Sequence, residues 1–256
     1  MRKATFFYLL RRGLLTGAGG FIRDGLVMAS KFITQGLTHP AQGSAEFDGS
    51  SDYIQLDTPF SYTNHTIAAW VYAGATPSNS MVIFDQRDGA GDGITLSFSS
   101  SNSIKVDLNA VNYSSGAKTL KEWYFVSATY DGTTGKIYVD GSLDVSQATS
   151  QTISTTTDAV IGKKSYSGSS YTNFNGNLAN VAIWNRALSS DEINSVMWKG
   201  YQSLTDNEKS GLQAWYSLDD VASPAASLAT MEALAVDKDA TIENKAAVTA
   251  AINALS

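Results

Sequence analysis

The chain of 256 residues has no cysteine, two histidines and four prolines. Without cysteine there is no disulfide, no thiolate metal site and no cysteine nucleophile. A disulfide-braced extracellular domain of the animal type is thereby disfavoured. The histidines, His39 and His65, are too few for a zinc site, which normally needs three or four clustered ligands. His39 precedes Pro40 and His65 stands in a polar turn, so both read as surface residues, and neither has a triad setting. Charge is sparse too: 16% of residues are charged and the net charge is −6. Nucleic-acid binding needs a basic face, which this balance does not offer. No apolar run approaches the roughly 20 residues of a membrane-spanning helix.

What is present is turn chemistry between short apolar runs. Asp-Gly or Asn-Gly pairs stand at Asp88-Gly89, Asp92-Gly93, Asp131-Gly132, Asp140-Gly141 and Asn175-Gly176, and each is a hairpin or loop signal. Between them, strands are predicted at 45–47, 53–56, 67–72, 81–85, 94–98, 104–108, 123–130, 136–139, 158–161 and 178–184. In 67–72, Ile67, Ala69 and Val71 alternate with Ala68, Trp70 and Tyr72. Both faces are apolar, which predicts a strand buried between two layers. Trp70, Trp123 and Trp184 lie in strands and read as core. Repeats with a period of 20–50 residues are absent, which argues against propellers and solenoids. A single sandwich of this length can bury roughly 70% of its unfolded surface, so it needs no covalent staples.

Four stretches carry a family resemblance. They are Phe47-Asp48-Gly49 followed by Asp52-Tyr53-Ile54 and Leu56; Thr66-Ile67-Ala68-Ala69-Trp70-Val71; the Trp123-led strand with the Lys136-Ile137-Tyr138-Val139-Asp140-Gly141 hairpin; and Asn180-Val181-Ala182-Ile183-Trp184-Asn185-Arg186-Ala187-Leu188-Ser189-Ser190-Asp191-Glu192. The pattern resembles the laminin G-like, or concanavalin A-like, jelly-roll family over residues 44–200. The resemblance implies an all-β, antiparallel jelly-roll β-sandwich. It does not fix function, because that fold serves lectins, adhesion modules, hydrolases and structural proteins alike.

Three parts are expected: an N-terminal arm at 1–43, the sandwich at 44–220 and a small helical appendage at 221–256. The arm carries Phe6, Phe7, Tyr8, Leu9, Leu10, Leu14 and Leu15 beside Arg11 and Arg12. It reads as a segment needing a partner surface rather than as a secretory signal, because the arginines interrupt the apolar run after about seven residues. Ser189-Ser190-Asp191-Glu192 is a capping box ahead of Ile193, Val196 and Met197 at helical spacing. A strand at 211–219 is similar to one that precedes the domain in many family members. It reads either as the missing first strand supplied from the other end or as a vestige of a second domain.

Candidate chemistry is thin. Paired carboxylates for glycoside hydrolysis would follow a Glu-x-Asp-x-x-Glu spacing. Glu46 and Asp48 lack the final Glu and stand at a turn, so no catalytic residue is assigned and the chain is read as a non-enzyme. Calcium is the cofactor candidate, through Asp85, Asp88 and Asp92; the family's rim sites make the same suggestion. For a glycan, an aromatic platform with amide partners is offered by Tyr166, Tyr171 and Asn173, and by Tyr113 in the 109–115 loop. The leading expectation is a non-catalytic structural or binding module of a larger assembly, such as a phage virion protein. Its arm would contact other structural proteins, and the subunit would form a homo-oligomer. The alternative is a free carbohydrate-binding lectin, secreted or at a cell surface and contacting glycans; a glycoside hydrolase ranks last.

Overall fold

A computed structural model describes residues 43–218, apart from 57–58, 61–62, 89–90, 110, 152, 154–156 and 166–170. The arm residues Phe6, Phe7, Tyr8, Leu9, Leu10, Arg11, Arg12, Leu14 and Leu15, the tail at 221–256 and Tyr166 lie outside the described residues.

The described residues form two seven-stranded sheets. Sheet A runs β1 (Ala45–Asp48), β13 (Asn175–Trp184), β3 (His65–Ala73), β8 (Trp123–Tyr130), β9 (Thr134–Val139) and β10 (Ser142–Ala148), with β14 (Leu212–Tyr216) also on β13. Sheet B runs β2 (Ile54–Gln55), β11 (Val160–Ile161), β4 (Ser80–Arg87), β5 (Gly93–Phe98), β6 (Ser103–Leu108) and β7 (Val111–Ala117). Its remaining strand, β12 (Tyr171–Thr172), pairs parallel with β4 at Ser80 and Met81. Every other pairing is antiparallel. The order is that of a jelly-roll sandwich. Its core takes Ile67, Ala69 and Val71 of β3 and Leu96, Val106 and Tyr113 of sheet B, all buried.

β3 is covered on both faces, as its sequence predicts. Its outward residues Ala68 and Trp70 are also buried, because a C-terminal segment lies on the outer face of sheet A. Helix α1 (Ser190–Val196) starts at the predicted capping box, with both reciprocal bonds formed between Ser189 and Glu192. Ile193, Val196 and Met197 are buried. A second box, missed in the sequence, opens α2 (Asp206–Lys209) at Thr205 and Glu208. Two indoles tie this cover to the sheet: Trp70 Nε1 donates to Met197 O at 3.0 Å and Trp184 Nε1 to Glu208 O at 2.7 Å. Trp70 and Trp184 are core, as expected. Trp123 is not; it is half-buried on the outer face, 5.6 Å from the Tyr72 ring.

β14 resolves the question posed by residues 211–219. β1 pairs with Asn175–Leu178 of β13, and β14 pairs with Val181–Trp184. The same strand meets β3 along its other edge. β1 and β14 therefore share one edge of β13 end to end, and the late strand completes the short first one. The junction is a bulge at Asn180, whose φ is 48° and whose N–H donates to Ser217 O at 2.9 Å.

Three strands escape the sequence reading: the two-residue β12 and the longer β7 and β10. The longer two are edge strands, one at the end of each sheet, and β10 is exposed or half-exposed along its whole length. Edge strands need little apolar alternation, so the period-2 signal fails there. Asp144 of β10 joins the two edges. It accepts from Gly116 N–H at 3.0 Å and from Lys118 Nζ at 2.8 Å.

His65 corrects the surface assignment. β3 begins at His65, two residues earlier than predicted, and pairs it with Tyr130. The imidazole is fully buried, its centroid 5.5 Å from the Tyr130 ring. Burial disfavours the imidazolium and pushes the pKa from 6.5 down to about 3. A folded pKa below the unfolded one gives stability that is present above pH 6.5 and lost as pH falls toward 3. Between pH 8 and pH 5 the loss should be about 2 kcal/mol in urea melts. A His65→Phe variant should lack this limb; equal slopes for the two proteins over that range would show that His65 is not its source.

Candidate ligand-binding face

The outer face of sheet B is polar where a sheet covered by protein would ordinarily be apolar. Register places Asp85 beside Thr95, Thr95 beside Asp107 and Asp107 beside Asn112, in one row across β4, β5, β6 and β7. Asp85, Thr95 and Asp107 are buried. The residues that follow β11 reach this row. Ser165 donates its backbone N–H to Asp85 Oδ2 at 2.7 Å and its hydroxyl to the same oxygen, while the Thr95 hydroxyl donates to Asp85 Oδ1. The Tyr171 hydroxyl donates to Asp107 Oδ2, and Lys105 Nζ lies 3.0 Å from Asp107 Oδ1.

Asp85 is thus an anchor for the covering segment. Burial raises its pKa, opposed by the Ser165 and Thr95 bonds and by the Arg87 guanidinium. Arg87 in turn clamps two turns, donating from Nη2 to Gly91 O and Asn109 O, each at 3.1 Å. The expected calcium trio is therefore not assembled. Asp85 stands in β4, not in the loop, with its oxygens engaged by Ser165 and Thr95. Asp88 shapes the hairpin by accepting the Asp92 N–H at 2.9 Å. Among the described residues no group of three His, Cys, Asp or Glu side chains could hold a metal ion.

The glycan candidates separate in the same way. Tyr113 faces the sandwich core because the expected 109–115 loop is strand β7. Its hydroxyl packs so closely on Gly135 that an added Cβ would lie 2.3 Å away, and burial pushes its pKa up. Asn173 donates from Nδ2 to Ser50 O at 2.7 Å, and Asn175 to Asp48 O at 3.1 Å. Both amides brace the first turn. That turn also explains Asp48, whose carboxylate accepts the Ser50, Ser51 and Asp52 N–H groups at 2.7, 2.8 and 3.1 Å. The Ser50 bonds lead in holding its pKa well below the carboxylate range, so the residue serves as a turn cap.

Tyr171 alone of the described candidates stays half-exposed at the polar row. Its ring carries ammonium groups, with Lys164 Nζ 5.0 Å and Lys105 Nζ 5.7 Å from the centroid. Lys163 Nζ lies 4.1 Å from the Tyr53 centroid. These cation–π contacts hold lysines in place. The sequence reading passed over all three. The available signal was Lys163-Lys164 next to an aromatic loop in a chain where acidic residues outnumber basic ones 24 to 18.

If Asp85 anchors the covering segment, Asp85→Ala should cost about 2–3 kcal/mol, because several donors lose a buried charged acceptor. Hydrogen exchange at the Ser165 amide should accelerate well beyond the global change. A loss under about 0.5 kcal/mol in a urea melt would contradict the anchor.

With this geometry in view, comparison with known proteins identifies the fold. A carbohydrate-binding protein from Bacteroides ovatus, so described provisionally, superposes with a TM-score of 0.58 at 19% identity, covering 72% of this chain and 54% of that one. The present chain therefore spans about half the length of that protein. A heptameric SAP-like pentraxin from Limulus polyphemus gives 0.50 at 18% identity, covering 63% and 84%. The CBM40 module of the Ruminococcus gnavus IT-sialidase, bound to α2,3-sialyllactose, gives 0.50 at 15% identity, covering 60% and 96%. At these identities the likeness is one of fold. No curated protein sequence matches. Residues 48–194, more than half of the chain, match the family described as the Concanavalin A-like lectin/glucanases superfamily, and the protein belongs to that family.

Proposed function

We propose that this protein is a non-catalytic, lectin-like glycan-binding module whose contact face is the outer face of sheet B around Tyr171. The observation that carries the reading is the lysine group held by aromatic rings on an acidic protein: Lys105 and Lys164 at Tyr171, and Lys163 at Tyr53. Ammonium groups beside buried carboxylates and hydroxyls suit a sugar that bears a carboxylate or sulfate. The R. gnavus module, with its sialyllactose, is a precedent for an acidic glycan on this fold. Tyr171 acts here as the post that positions two cations rather than as an open stacking surface. The relatives support a glycan-binding role better than a virion role, whose residues, 1–32, lie outside the described part of the chain.

The test is a glycan array probed with a multivalent form, since single lectin sites are weak. Acidic glycans should be retained more strongly than the same glycans stripped of their acidic groups. Retention should weaken steeply between 0.05 and 0.5 M salt, as about a tenfold rise in ionic strength shortens the Debye length roughly threefold. Lys164→Ala and Tyr171→Ala should each abolish it while leaving the melt cooperative. Salt-independent retention, or retention unaffected by Lys164→Ala, would remove the sheet B face from the account.

A further inference from the structure

The outer face of sheet A, the sheet that does not carry the lysine group, holds a second arrangement of different chemistry. The cover formed by α1 and the residues after it hides Trp70 and Phe125, whose rings lie 5.6 Å apart, and Trp198 closes over Trp70 at 5.5 Å. One step further along the same strand face, the cover ends. There, pairing brings four outward residues into one row: Glu46 of β1 opposite Asn177 of β13, Asn177 opposite Tyr72 of β3, and Tyr72 opposite Trp123 of β8. Glu46 is exposed and the other three are half-buried. The Tyr72 and Trp123 rings sit 5.6 Å apart at 47°.

We infer that this row is a binding site for a neutral oligosaccharide chain. Two partly exposed rings offer π faces to the C–H side of a pyranose, while a carboxamide and a carboxylate in line with them can take its hydroxyls. Four strands at about 4.8 Å spacing give a row roughly 14 Å long, enough for several consecutive sugar rings. The tilt between the rings suits a chain whose successive residues turn relative to one another. Glu46 at one end disfavours an acidic sugar, so the ligand class differs from that of the lysine-bearing face.

A protein partner fits less well. Two rings flanked by polar groups fall short of the area of a stable interface. The large exposed hydrophobic among the described residues, Leu143, is on β10 at the opposite edge of the sheet. A linear β-1,4-linked neutral chain is the occupant this geometry favours, because its successive rings present C–H faces in sequence while turning relative to one another.

The experiment is a titration of the full chain with cellohexaose and, separately, xylohexaose, followed by tryptophan fluorescence and calorimetry. Saturable binding with a change in indole emission is expected for at least one. Trp123→Ala should weaken it at least about tenfold and Tyr72→Ala comparably. Trp123→Phe, which keeps a ring, should retain most of the affinity and serves if the alanine variant does not fold; Asn177→Ala should weaken binding without altering the core. Lys164→Ala should leave it unchanged, which separates this site from the acidic-glycan face. The inference is overturned if neither hexaose binds, if Trp123→Ala binds within about twofold of wild type, or if Lys164→Ala abolishes binding. Acidic-glycan retention on the array together with any of these outcomes would leave the sheet B reading standing and remove only this one.

Discussion

The structure depends on β3 being buried on both of its faces. A strand at the middle of a sandwich sheet ordinarily buries one face and leaves the other to water. Here the second face carries Ala68 and Trp70, and an indole of that size must be covered and its N–H satisfied. The segment after β13 does both, since Met197 O accepts the Trp70 indole and Glu208 O accepts the Trp184 indole. The two capping boxes follow from the same need. A cover built of such short helices has little intrinsic stability, so its termini are closed by Ser189 with Glu192 and by Thr205 with Glu208. Lys199 then binds Glu208 at 2.6 Å, linking the two helical turns.

This asymmetry divides the molecule into two outer faces with different rules. Sheet A is sealed by apolar cover up to Trp198, and beyond it aromatic residues emerge half-buried. Sheet B is reached by a polar segment that binds through Asp85 and Asp107. Burying Asp85 is costly by itself, since desolvation raises its pKa. The Ser165 and Thr95 donors offset that cost, and their geometry fixes where Lys163 and Lys164 stand. A carboxylate that looks like a metal ligand in the sequence therefore holds Ser165 and Thr95 in the structure.

The fold was legible in the sequence because its signals are local. Alternation in 67–72 marked a doubly buried strand, the Asp-Gly pairs marked turns, and Ser189 with Glu192 marked a helix start. Each acts through neighbouring residues along the chain, so no tertiary knowledge was needed. The edge strands β7 and β10 were not legible, because a strand at an edge has weaker demands on its side chains. His65 was misread for a related reason. A polar residue among polar neighbours looks exposed, and only its pairing with Tyr130 places it inside.

The candidate sites belong to the other category. Asp85, Asp88 and Asp92 are close in sequence, but Asp85 lies in β4 and holds Ser165 and Thr95, while the Asp88 side chain accepts the Asp92 N–H in the turn that follows. Lys105 and Lys164 are 59 positions apart and meet only because Tyr171 reaches across sheet B. Glu46, Tyr72, Trp123 and Asn177 are scattered through the chain and form a row only through the register of four strands. The sequence by itself determined the class of fold, the turns and the doubly covered strand, since hydrophobic period and turn chemistry are properties of adjacent residues. Only the tertiary structure decided which polar and aromatic side chains share a face, because in an antiparallel sandwich neighbours in space come from strands distant in the chain.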